Sequence, residues 1–249
     1  MRGTPSAVLA GHIDTWAVDI ADALGYVGTA PIESIAESVA MSNAGEVVLA
    51  AAAAWISDSD VVVRCLAWEV YRFVVLNRAD LLPNLLDAAP TGLGDSDPDV
   101  RRRTVSALGN QWNPATIEIT LPMLVDPDAE VRVQAVGALT GALQESPSDA
   151  PAIDALIACL DDLEPTVRDW TAFTLGVQLD VDRPDLRDKL VELLGEDEAR
   201  SDAAAEAAMG LARRQDARAI PAILRHIADP EASPVWREAA EELGIALPD

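Results

Sequence analysis

The sequence predicts an all-α fold in which helical pairs stack one on the next, and three observations carry that prediction. First, a phrase recurs. Val100-Arg101-Arg102-Arg103-Thr104-Val105-Ser106-Ala107-Leu108-Gly109 returns as Val131-Arg132-Val133-Gln134-Ala135-Val136-Gly137-Ala138-Leu139 and as Val167-Arg168-Asp169-Trp170-Thr171-Ala172-Phe173-Thr174-Leu175-Gly176. Weaker copies begin at Val63, Ser201 and Val235, so successive starts are separated by 37, 31, 36, 34 and 34 residues. A period near 35 marks a helical array in which each unit buries its apolar face against its neighbours. Second, acidic proline-marked turns precede the phrase: Asp95-Ser96-Asp97-Pro98-Asp99 and Asp126-Pro127-Asp128-Ala129-Glu130. Third, aromatics are only 4% of a chain that is 50% hydrophobic, as expected of helices packed through Ala, Leu and Val.

Each turn starts the second helix of a pair. Aspartate accepts from the free amides of a helix start and suits the positive end of its dipole, while proline at the first helical position sacrifices no hydrogen bond. Behind the turn, Val100, Thr104, Ala107 and Leu108 fall at i, i+4, i+7 and i+8, the stripe of a helix packed on one face. Small residues such as Ala135 and Ala138 let helices approach closely. The first helices are expected at Val47 to Ile56, Leu81 to Ala88, Ala115 to Val125, Ala152 to Leu160, Leu186 to Leu194 and Ala219 to Ala228. Polar or proline punctuation at 149–151, 182–184 and 216 separates the pairs. Six pairs result. Residues 1–43 match the repeat poorly and read as an N-terminal cap, with helices expected near Thr15 to Leu24 and Ile32 to Met41, since terminal repeats have one face in water. With no long linker, residues 1–249 read as one domain, with repeats over 46–246.

Composition narrows the function. The formal charge is -24, from 42 acids against 18 bases. Such a field repels phosphate backbones and argues against general nucleic-acid binding. It leaves a basic partner, an acidic mimic of nucleic acid, or a bias of the whole proteome. The longest apolar run, Val47 to Ile56, is far shorter than the roughly 20 residues that span a bilayer. Ala7 to Ala10, followed by His12 and Asp14, lacks the apolar core of a secretory signal, so a cytoplasmic location is expected.

Candidate chemistry is sparse. Cys65 and Cys159, the only cysteines, lie more than two repeats apart and read as buried structural thiols. His12 and His226 have no histidine or cysteine at ligand spacing, so no metal site, cofactor or catalytic residue is expected. Carboxylate pairs such as Asp161-Asp162 and Glu241-Glu242 are too common in so acidic a chain to imply acid-base work.

The run Ala219-Ile220-Pro221-Ala222-Ile223-Leu224-Arg225-His226-Ile227-Ala228-Asp229-Pro230, with the Asp-Pro-Asp and Val-Arg phrases, resembles the HEAT repeat, especially the short HEAT-like type of the phycobilin lyases. The resemblance implies a right-handed α-solenoid whose second helices line the concave face. It also implies a ladder between repeats, made here by Arg64, Arg101, Arg132 and Arg168 with Asp58, Asp95, Asp126 and Asp162. Four arginines at repeat spacing look like a phosphate-binding stripe; on this reading they join repeat to repeat. Asp202 and Trp236 occupy the last two arginine positions, where the ladder should lapse.

If the apolar stripe faces the core, positions two, three and six after the valine point to the concave surface. They are Arg102, Arg103 and Ser106, then Val133, Gln134 and Gly137, then Asp169, Trp170 and Phe173. Of these, Arg102, Arg103, Gln134, Trp170 and Phe173 form the candidate binding surface, because Trp and Arg are enriched at interface hot spots. Trp170 and Phe173 packing on a neighbouring helix is the competing reading, and Trp68, Trp112 and Trp236 are equally open. The sequence therefore points to a non-enzymatic scaffold that binds a protein or peptide, including a basic one. The alternatives are an acidic inhibitor or immunity-type protein against a basic target, and a HEAT-like DNA alkylpurine glycosylase, for which the inner positions supply little positive charge beyond Arg102 and Arg103. Phycobilin lyases share only generic repeat motifs with the chain.

Overall fold

The computed structural model describes residues 45–195, 202–229 and 231–247. The expected N-terminal cap helices lie outside the described residues. Among the described residues the secondary structure is wholly helical, twelve α-helices in all. Six first helices alternate with six second helices. The first helices are α1 (Gly45–Trp55), α3 (Leu82–Leu93), α5 (Ile117–Thr120), α7 (Ala150–Cys159), α9 (Pro184–Leu193) and α11 (Ile220–His226). The second helices are α2 (Val61–Asn77), α4 (Pro98–Gly109), α6 (Ala129–Gln144), α8 (Pro165–Phe173), α10 (Ala203–Arg213) and α12 (Val235–Glu242). The long first helix expected at 115–125 is α5 flanked by two 3-10 turns, Pro114–Thr116 and Leu121–Val125. Among the described residues, no helix is long and apolar enough to cross a membrane.

The acidic turns work as the sequence implies, with a division of labour between their two acids. Asp60, Asp97 and Asp128 cap α2, α4 and α6 by accepting from Val62, Asp99, and Glu130 with Val131, respectively. Two residues earlier, the Oδ1 atoms of Asp58, Asp95 and Asp126 accept from the amides of those same caps at 2.8–2.9 Å. In the third repeat the proline stands before the cap, so Asp128, not Pro127, begins the helix. The stripe Val100, Thr104, Ala107 and Leu108 is completely buried. Buried threonines of the second helices bond back one turn, Thr104 to Val100 and Thr171 to Val167, which removes the cost of an unsatisfied hydroxyl in the core.

The chain divides into two compact units, 1–123 and 124–249. In the first, α2 packs on α4, and Trp68 is fully buried against Gly92. A Cβ on Gly92 would stand 2.3 Å from the indole, so glycine at this position makes room for the ring. In the second unit, the second helices pack in series, α6 on α8, α8 on α10 and α10 on α12. The elements α8 and α10 approach closely at a pair of glycines. A Cβ on Gly210 would lie 2.7 Å from the Cα of Gly176, so the two backbones meet with no side chain between them. Gly176 lies in a single π-type turn, Thr174–Gln178, that prolongs α8. The guanidinium of Arg214 fastens this turn by donating to the carbonyls of Leu175 (2.7 Å), Gly176 (3.0 Å) and Gly210 (2.6 Å).

Candidate functional site

The ladder residues come together at the repeat junctions. Arg64 forks onto Asp95 with Nε–Oδ2 2.7 Å and Nη2–Oδ1 3.1 Å, and Arg132 forks onto Asp162 at 2.8 Å on both arms. In all four repeats the Nη1 of the arginine also donates to the carbonyl six residues behind it: Arg64 to Asp58, Arg101 to Asp95, Arg132 to Asp126 and Arg168 to Asp162, at 2.8–2.9 Å. Each such arginine thus closes its own turn, and Arg64 and Arg132 also grip the turn of the next repeat. Burial opposes ionisation of Asp95 and Asp162, but the guanidinium and a backbone amide outweigh it and hold both carboxyls below their ordinary range.

Beyond Arg168 the cross-links move to the first helices. Arg183 joins Asp154, Lys189 joins Asp161 and Arg218 joins Asp188, each spanning 28–30 residues. Lys189 and Glu192 border a cleft of about 330 Å³ with Asp161, Asp162, Leu163 and Arg168. Its charges are already engaged with one another through Lys189, Asp161 and Glu192.

The candidate binding residues divide. Arg102 pairs with Asp99 on its own helix, 2.9 Å away. Arg103 reaches back to Glu69 on α2, a buried acid that also receives Arg72 at 2.8 Å. Two arginines thus neutralise one buried carboxylate, a role that interface statistics could not reveal. Gln134 is half-buried on α6. Trp68 and Trp236 are buried; Trp236 stacks on His226 at 4.2 Å, whereas Trp112 stands exposed. The thiols of Cys65 and Cys159 are buried, and burial pushes both up to about 11.

Trp170 and Phe173 lie side by side on α8, edge to face, with ring centroids 6.2 Å apart and planes at 81°. Trp170 is 47% exposed. Together with Asp169 they line a cleft of about 200 Å³ whose other described wall is Asp202 and Glu206, at the start of α10. Asp202 and Glu206 are four residues apart and therefore share a helix face. Burial raises Asp169, and the charge of Asp202 adds to the effect. Burial likewise pushes Glu206 up to about 7, aided by Asp169, Asp202 and Glu238. Among the described residues the charges acting on Glu206 are all negative, while the backbone of Asp202 bonds to Asp169 and favours its charged form.

The model of HEAT repeats matches residues 82–176 and 153–244. The chain belongs to the HEAT repeat family. The fold agrees: the X-ray structure of YibA from Escherichia coli superposes with a TM-score of 0.66 at 18% identity, over 98% of this chain and 88% of that one. The archaeal HEAT-like repeats protein of Thermococcus onnurineus aligns at a TM-score of 0.53 and 13% identity, over 85% and 95% of the two chains. A computationally designed armadillo repeat protein for modular peptide recognition aligns at 0.54 and 18%, over 79% and 98%. No curated protein matches the sequence. Within this HEAT protein, sequence reasoning located the α8 half of the cleft and missed the α10 half. The signal that could have found it was Asp202 itself, an acid in the place of a ladder arginine.

Proposed function

We propose that this HEAT repeat protein is a non-enzymatic scaffold that binds a protein or peptide through the second-helix face of its C-terminal unit, with Trp170 and Phe173 as the anchor. One observation carries the reading. Trp170 sits on a helix whose Val167, Thr171 and Ala172 are buried, yet it stands nearly half exposed above a cleft. Large aromatics that keep contact area available beside a pocket are typical interface anchors. A structural neighbour, an armadillo repeat protein designed for modular peptide recognition, supports the class of ligand, and repeat proteins in general use such helical faces for binding.

The test is affinity capture with the full chain as bait, comparing wild type with Trp170→Ala and Phe173→Ala. The reading expects a partner that binds wild type saturably as a purified protein and is lost from both variants while their helical circular dichroism and unfolding midpoints remain. A partner retained equally by both variants places recognition elsewhere on the chain and overturns this site.

A further inference from the structure

We draw no further inference here: the strongest candidate, the surface patch at Trp112 beyond the end of α4, where the indole stands 59% exposed on a left-handed backbone (φ 48°), is an apolar face, and nothing among the described residues shows what covers it.

Discussion

Arg132 clasps both sides of a repeat junction. Its Nε and Nη2 hold the two carboxylate oxygens of Asp162, 30 residues ahead, while its Nη1 holds the carbonyl of Asp126, six residues behind. Both side chains are largely shielded from water, at 15% and 11% exposure. Removing the guanidinium strands a half-desolvated carboxylate and a carbonyl together. Arg132→Ala is expected to destabilise the fold by about 2 to 4 kcal/mol. Arg183→Ala, which breaks pairs open to solvent, should cost far less. Urea denaturation of the two variants measures the difference; equal losses would show that the clasp contributes no more than a surface pair.

The same clasp makes stability depend on acid. Asp95 and Asp162 titrate below their unfolded value in the native state, so their contribution is present above about pH 4 and is lost as pH falls through the lower native values. The urea midpoint should fall steeply below about pH 4, and Arg132→Ala should flatten that fall. A midpoint independent of pH in this range contradicts the geometry.

Glu206 behaves in the opposite sense. Its native value lies near 7, above the 4.5 of a free glutamate, so the advantage of its protonated form is complete below about pH 4.5 and lost as pH rises through 7. Glu206→Gln should therefore be more stable than wild type by about 1 to 2 kcal/mol above pH 7 and match it below about pH 4.5. Thermal scans across this range give the crossover, which is set first by burial of the carboxyl and then by the charges of Asp169, Asp202 and Glu238.

Glycine substitutions should part company. At Gly210 and Gly176 a methyl group meets backbone of the facing helix, which cannot yield as a side-chain end can, and alanine at either position should lower stability by about 1 to 3 kcal/mol. Gly137, exposed on α6 with nothing within 4 Å of the place a methyl group would take, should gain about 0.5 to 1 kcal/mol from Gly137→Ala through helix propensity. Opposite signs in the two sets of midpoints are the expected result.

Both cysteines should resist modification. With their thiols raised to about 11, few thiolates exist near neutral pH, and burial blocks access as well. A thiol-reactive disulfide reagent at about pH 8 should label neither residue on the timescale of free cysteine and both after unfolding. Fast labelling of the native protein would show local opening around α2 or α7.

The helices were legible because the forces that form them are local. Val100, Thr104, Ala107 and Leu108 announce a buried stripe by spacing alone, and Asp97 and Asp128 announce helix starts by what a carboxylate does to free amides. The fate of the arginines was less legible, since it is decided across repeats. Arg103 looked free to bind because its partner, Glu69, lies 34 residues away on another helix. Asp202 and Trp236 illustrate the same point in reverse. Both were recognised as losses from the ladder, but only the packed helices show that one lines a cleft beside Trp170 and the other stacks on His226. A one-dimensional pattern registers a missing cation; it carries no record of what faces the place that cation would take.

The contact of Gly176 with Gly210 bears on the cleft from a distance of about one helical turn, since Phe173 and Glu206 stand roughly that far from the two glycines along their helices. Two backbones in direct touch leave no side chain between them to adjust, and Arg214 donates to the carbonyls of both glycines. The spacing of the two elements at this point is therefore set by backbone against backbone and not by side chains that could repack. A contact of this kind leaves no side chain to trim: a substitution at either glycine has to move a helix, and with it Asp202 and Glu206, which face Trp170.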